Sequence, residues 1–286
     1  MNRSVDSLKA FMAGSGGPAR FRARSGVVVV GSGKGGVGTS TVSALLALTA
    51  AHRGEHVLLV DADESVGSLH YMLGVKDAGA GLGALRGGRV TPQDLLVVAA
   101  PGLTLLPGGG GGVDATLSSA TAERRALFRR VADLYDRYDL VVVDGGSRLE
   151  SVMAACGAGV ERLLCVTEPG RISLAASYAL FKVARTRFEG LPVEMVINGA
   201  DDRSGRGLHA VVRQATQSFL GTDVRFGGTV PLDADIRDTM DRGYGLQSLL
   251  ATSEAAAAVG GLADRILLEQ DHVAGDVPVV PLTPTL

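Results

Sequence analysis

The sequence predicts an α/β fold: a doubly wound, mostly parallel sheet with helices on both faces. Three observations lead there. Apolar runs such as Val27-Val28-Val29-Val30, Val57-Leu58-Leu59-Val60 and Leu140-Val141-Val142-Val143 are continuous rather than alternating, as in strands buried on both faces. Helical stretches separate these runs, which is the rhythm of a parallel sheet with crossover helices. The runs end at Gly31, Asp61 and Asp144, and an open sheet of this kind collects its ligands beyond the carboxyl ends of its strands.

Taken in order, residues 1–25 carry Arg3, Lys9, Arg20, Arg22 and Arg24 against the single acid Asp6, with Gly14-Ser15-Gly16-Gly17-Pro18 as a breaker. They read as a flexible basic arm holding one short helix over residues 5–12. The first strand starts at Val27, runs into a glycine-rich turn and is followed by a helix over 39–52, where Leu45, Leu46 and Leu48 lie among alanines. Further strands are expected at 57–60, 103–106, 140–143, 163–166 and 193–197, and helices at 120–135, 172–188, 207–220 and 251–268. Residues 79–88 and 107–112 look like mobile loops. The tail from Asp271, with Pro278, Pro281 and Pro284, is expected to be disordered. The organisation is thus an arm (1–25), one nucleotide-binding domain (26–270) and a tail (271–286).

With 286 residues, 46% hydrophobic and 20% charged, the chain can bury a large core and is not disordered as a whole. Forty glycines against ten prolines point to tight loops near backbone-contacting ligands rather than low complexity. A net charge of -2 provides no global field for nucleic acid or an anionic membrane. Glu123-Arg124-Arg125 with Arg129-Arg130 makes one basic helix face, but Glu123 and Asp133 adjoin it and a solvated face is the expectation. Cys156 and Cys165 form no Cys-x-x-Cys, so neither zinc nor a disulfide framework is indicated and a reducing, cytoplasmic setting follows. No leader-like apolar stretch or bilayer-length run occurs. The scattered histidines carry no catalytic assignment, with His70 the one to watch.

The most informative segment is Gly31-Ser32-Gly33-Lys34-Gly35-Gly36-Val37-Gly38-Thr39-Ser40-Thr41. Gly31, Gly33 and Gly36 satisfy the dinucleotide fingerprint G-x-G-x-x-G, while residues 33–40 satisfy a P-loop that lacks its lysine. Both patterns use glycine so that backbone N–H groups and a helix N-terminus can approach phosphate. The strand ends separate them. A P-loop ATPase needs a hydroxyl at the loop's end for Mg²⁺ and an acid at the end of a second strand, and Ser40 and Asp144 supply both. Asp61 would be the ribose acid of a dinucleotide unit, but that reading leaves Asp63, Ser40 and Asp144 without a role.

These residues resemble a family. Gly33-Lys34-Gly35-Gly36-Val37-Gly38 looks like the deviant P-loop of MinD/ParA ATPases, with their additional lysine at Lys34. Asp61-Ala62-Asp63, followed by Gly67-Ser68-Leu69 and Met72-Leu73-Gly74, is similar to the family's switch segment, and Val141-Val142-Val143-Asp144 to its second acidic strand. Glu168-Pro169, Ile172-Ser173, Tyr178-Ala179-Leu180, Asn198 and Val230-Pro231-Leu232-Asp233 through Ile236-Arg237 resemble the FlhG (FleN) branch, regulators of flagellar number and placement. The resemblance covers roughly residues 27–268. It implies ATP or ADP with Mg²⁺, held by residues 33–41, and an ATP-dependent homodimer in which Lys34 reaches the phosphates across the interface. Ser40, Asp61 and Asp144 form the implied metal site, Asp63 orients the attacking water, and Asn198 and Pro231 flank adenine. It implies a flagellar GTPase or transcription regulator as partner, in the cytoplasm or at the inner membrane face.

The departures carry as much information. Where the family has its second P-loop lysine, this chain has Thr39. One ammonium near phosphate is worth up to about 4 kcal/mol at an effective dielectric of 20, before desolvation, so weakened hydrolysis is expected. Arg148 or Arg171 could substitute, although a solvated surface arginine is the plainer reading of each. Of the branch's N-terminal GTPase-stimulating motif only Leu8 and Lys9 remain, and acids Asp264, Glu269 and Asp271 in the last helix disfavour membrane binding. Residues 201–206 fit a nucleotide lid or an exposed loop equally. Iron-sulfur carriers are disfavoured because their bridging cysteines have no counterpart at Cys156 or Cys165. A non-hydrolysing nucleotide-binding scaffold and a dinucleotide-binding protein are the competing readings.

Overall fold

The computed structural model describes residues 26–109 and 121–275. Its strands are β1 (Gly26–Gly31), β2 (Val57–Asp61), β3 (Val97–Ala100), β4 (Leu103–Leu106), β5 (Leu140–Gly146), β6 (Arg162–Thr167), β7 (Val193–Asn198) and β8 (Arg225–Val230). They form one sheet in the order β3-β4-β2-β5-β1-β6-β7-β8. Every pairing is parallel except that of β3 with β4, an antiparallel edge.

The helices are α1 (Thr39–His52), α2 (Leu69–Met72), α3 (Thr121–Ala132), α4 (Leu149–Cys156), α5 (Arg171–Arg187), α6 (Asp202–Leu220), α7 (Ala234–Asp241) and α8 (Glu254–Gly275). Two cores flank the sheet. Val27 and Val29 of β1 face one core, with Phe128 of α3, Met153 of α4 and Phe181 of α5, while Val28 and Val30 face the other, with Leu45 of α1 and Ile266 of α8. Successive side chains of a strand point to opposite faces, so an unbroken valine run is what a two-sided core demands. The doubly wound architecture is the one the apolar runs predict.

Several local expectations change. Strands β3 and β8 and helix α4 have no counterpart in the sequence reading; β8 reads Arg-Phe-Gly-Gly-Thr-Val, and its glycines hide the apolar signature. Helix α6 begins at Asp202, so residues 201–206 are a capped helix start rather than a loop: the Asp201 side chain caps the helix by accepting from the Ser204 amide at 2.8 Å. Within 79–88 lies a 3₁₀ helix, Leu82–Gly87, anchored by fully buried Leu82 and Leu85. The described part of 107–112 is tied to it, since Leu82 N–H donates to the Pro107 carbonyl at 2.7 Å and Gly83 N–H to that of Gly109 at 2.9 Å. Helix α8 runs to Gly275, past the tail boundary set at 271, because no proline interrupts it before Pro278. The arm, its short helix, Leu8 and Lys9, residues 110–120 and the tail beyond 275 lie outside the described residues. No helix among the described residues is long and apolar enough to cross a membrane.

Candidate functional site

The chain leaves β1 at Gly31 and reaches α1 through a loop that only glycine can form at two points. Gly38 has φ +89°, and a Cβ there would lie 2.2 Å from Asn198 Nδ2; a Cβ on Gly33 would lie 2.2 Å from the Ala176 carbonyl oxygen. Asn198 Nδ2 donates to the Val37 carbonyl at 2.9 Å, bracing the loop from β7. Gly36 (φ +81°) has nothing near its missing Cβ, so this part of the loop is an open cradle. No side chain caps α1 and its first turn holds no acid, which leaves its N–H groups and the positive end of its dipole for an anion.

Opposite that helix end stand the carboxylates. Strand β5 lies between β1 and β2, and its Asp144 is the register partner of Asp61. Both acids are buried and line a cavity of about 390 Å³ together with Gly36, Thr39, Ser40 and Asp63. Burial pushes the Asp144 carboxyl up to about 6, the neighbouring Asp61 charge adds to this, and hydrogen bonds from Ser40 and the Gly146 amide oppose it. Burial also raises Asp61, against hydrogen bonds from three backbone amides. The hydroxyl of Ser40 with two adjacent carboxylates is a set of hard oxygen donors of the kind Mg²⁺ takes.

Asp61 also organises the segment that follows it. Its Oδ1 accepts from the Asp63 amide at 3.0 Å, and its Oδ2 from the Ser68 and Leu69 amides at 2.9 and 3.2 Å. That clasp turns the chain so that Asp63 stands exposed at the cavity, its carboxylate accepting from the Ser65 amide and hydroxyl. Desolvation opposes it, but those bonds and the Arg148 charge hold the Asp63 carboxyl below its ordinary value. Glu64 turns inward, buried, where Arg86 pairs with it at 2.6 Å and Arg124 Nε at 3.1 Å.

Of the residues singled out in the sequence, Gly35, Gly36, Gly38, Thr39, Ser40, Thr41, Asp61, Asp63 and Asp144 line this one cavity. Gly33 and Val37 form the loop's back, against α5 and Asn198. Lys34 is outside the cavity lining: its Nζ pairs with Glu168 Oε1 of the same chain at 2.5 Å, and Ser173 Oγ donates to the same oxygen at 3.0 Å. Asn198 and Pro231 are also outside the cavity; Asn198 pairs in register with Val230, which puts the two side by side at the carboxyl ends of β7 and β8. Arg148 lines the cavity, whereas Arg171 does not.

Sequence reasoning missed the roles of Glu64, Arg86 and Arg124. The solvated basic face expected on α3 holds only in part: Glu123, Arg125 and Arg129 are exposed, whereas Arg124 is buried against Glu64, and Arg130 donates to the Val90 carbonyl at 2.9 Å. Each partner lies tens of residues away, and no local pattern marks the pairing. Both cysteines are buried, and burial pushes their thiols up to about 12.

Comparison with known proteins agrees with this geometry. Residues 24–99 match a ParA family model described as NUBPL iron-transfer P-loop NTPase. The chain is 27% identical over 242 residues to Antiactivator FleN of Pseudomonas aeruginosa, covering 84% of this chain and 85% of that one. It is 31% identical over 156 residues to Flagellum site-determining protein YlxH of Helicobacter pylori, covering 54% of this chain and 52% of the other. Its fold matches septum site-determining protein MinD of Pyrococcus horikoshii, solved with Mg-ADP, with a TM-score of 0.69 at 23% identity over 88% of this chain and all of that one. The glycine loop and the acidic strand ends thus lie in a fold like that of MinD, within a chain whose residues 24–99 match a ParA-family P-loop NTPase model.

Proposed function

We propose that the protein is a Mg-ATP-dependent dimerising switch, similar in role to the FlhG (FleN) regulators of flagellar number or placement, with slowed hydrolysis because Thr39 stands where a lysine is expected. The observation that carries this reading is the convergence of an uncapped helix N-terminus, Ser40 and two buried carboxylates on one open cavity. Residues 35–41 would hold the phosphates. Ser40 would bind Mg²⁺, with Asp144 and Asp61 on its water shell, and the ion would neutralise phosphate charge. Asp63, exposed at the cavity with a carboxyl that stays ionised, would orient the attacking water. Adenine would lie towards Asn198 and Pro231, behind the loop.

Self-association follows if Lys34 leaves Glu168 and reaches the phosphates of a second copy. A flagellar GTPase or transcription regulator is the partner class that the FleN and YlxH likenesses suggest. A dinucleotide role is weaker, since Asp61 is buried and its oxygens already accept from three backbone amides. Thr39 keeps a second reading open, a scaffold that binds nucleotide without turning it over. Calorimetry with ATP and with ADP, each with and without Mg²⁺, tests the proposal. Binding that requires Mg²⁺ is expected; no heat and no thermal stabilisation by either nucleotide at millimolar concentration overturns it. Turnover measured beside affinity then separates switch from scaffold.

A further inference from the structure

Replacing a lysine by Thr39 leaves a hydroxyl, buried to 7% exposure, where the loop would otherwise present a cation to phosphate. Positively charged groups elsewhere on the cavity wall therefore decide whether transferred phosphate meets a cationic side chain of its own subunit. Two arginines line it, Arg124 and Arg148. Arg124 is committed to Glu64, which it meets through Nε at 3.1 Å, and it is itself buried. Arg148 differs on each count. Its backbone is fixed, because its carbonyl accepts from the Ser151 and Val152 amides at 3.0 and 3.1 Å as α4 begins. Its side chain is exposed, and its guanidinium makes no ion pair or hydrogen bond among the described residues. It follows the end of β5 at Gly146, φ +62°, four residues beyond Asp144, so it stands on the carboxylate side of the cavity near Asp63, whose ionised form its charge favours.

We propose that Arg148 is the cation for the terminal phosphates of a bound nucleoside triphosphate, replacing from the strand β5 side the charge that the loop lacks at Thr39. The proposal rests on the nucleotide reading above and deepens it. A guanidinium suits this role because it stays charged and its planar fork can donate two hydrogen bonds to phosphate oxygens. In hydrolysis the water oxygen bonds to the γ-phosphorus and the bond from that phosphorus to the β,γ-bridging oxygen breaks. The electron pair leaves on ADP, and the water's proton passes to the released phosphate and solvent. Arg148 would offset the negative charge on the γ-phosphoryl and leaving oxygens, whose stabilisation is most of what an enzyme can contribute to this reaction. Because it sits by Asp63, it would favour triphosphate over diphosphate.

The test is titration of ATP and ADP in the presence of Mg²⁺ against the full chain and its variants, with turnover measured in parallel. Arg148→Ala should weaken ATP binding about tenfold or more, the loss of one charge-assisted contact, and ADP binding by less. Arg148→Lys should retain part of the affinity, Arg171→Ala should match the parent, and Thr39→Lys should restore ATP binding to the Arg148→Ala chain. If Arg148→Ala binds ATP as tightly as the parent while remaining folded by circular dichroism, Arg148 is a solvated surface residue and this inference is wrong. If neither the parent nor Thr39→Lys binds any nucleotide, the functional reading falls with it.

Discussion

Two buried carboxylates, at opposite ends of the same sheet, are treated in opposite ways. Glu194 sits near the start of β7, fully buried, with Arg162 at 2.8 Å and Arg265 at 2.8 Å, and Glu269 of α8 completes the network by meeting Arg162 at 2.6 Å. Asp144 sits near the end of β5, 4% exposed, and its neighbours are a second acid and hydroxyls, with no ion pair among the described residues. A buried charge is tolerable when a countercharge is held against it and costly when none is. Glu194 is therefore an internal tie between β6, β7 and the last helix. Asp144 is a charge whose partner the chain itself does not provide, beside a cavity open to solvent. At these two positions the amino end of a strand holds a neutralised charge, and the carboxyl end holds a charge left for ligand.

The largest effect expected from this comparison is at the structural end. Glu194→Ala leaves Arg162 and Arg265 without their shared buried partner and should cost about 3–5 kcal/mol in urea unfolding. Nucleotide affinity of the folded fraction should not change, because the site lies at the other end of the strands. A loss below about 1 kcal/mol would mean that the network behaves as a surface one, and the contrast would fail.

Asp144→Asn should act with the opposite sign. The folded-state pKa of about 6 lies above the ordinary value of 3.8. As pH rises through that window the unfolded chain has already released the proton that the folded chain still holds, so stability falls, and the full cost is present by pH 7. A neutral isostere removes that cost. The ligand-free variant should be more stable than the parent by about 3 kcal/mol at pH 7.5 and no more stable near pH 3.5, while stabilisation by Mg-ATP is lost. Urea melts at both pH values, with and without Mg-ATP, give the answer. An Asn variant less stable than the parent at pH 7.5 without ligand would show that Asp144 is structural after all.

Those same positions show how far sequence reasoning reaches. The central strands were legible because burial on both faces forces continuous apolar runs, and the cavity residues because phosphate contact forces glycines at fixed spacing with acids at strand ends. β8 was hidden because Gly227 and Gly228 interrupt its apolar run. The capped start of α6 looked like a loop because its first turn, Asp202-Arg203-Ser204-Gly205, contains no apolar residue. Arg124 is the plainest limit. In sequence it belongs to a run of charges that suits a wet helix face, and only the approach of Glu64 from 60 positions away makes it a buried residue. Local chemistry shows where a charge is allowed; the partner that makes its burial tolerable is a property of the tertiary fold.

The smallest effect on stability is expected at Lys34, the one cation of the glycine loop. Its pair with Glu168 resembles that of Glu194 in geometry but not in setting, since the two side chains are 41% and 36% exposed. Water and salt screen such a pair, and it contributes about 0–1 kcal/mol, so Lys34→Ala should leave the unfolding curve almost unchanged. The Lys34 hydrogen bond nevertheless holds the Glu168 carboxyl below its usual value, which keeps the pair formed at neutral pH and directs the lysine along its own chain. For Lys34 to bridge two copies across the phosphates it has to leave that partner, at small cost. Two variants then separate its roles. Lys34→Ala should abolish ATP-dependent self-association in light scattering, and Glu168→Gln, which weakens the restraint, should increase the dimer fraction at limiting ATP. Lys34→Ala that dimerises as the parent does would reduce Lys34 to a loop residue, and a Glu168→Gln chain with fewer dimers would mean that the ion pair positions the lysine for its partner rather than holding it back.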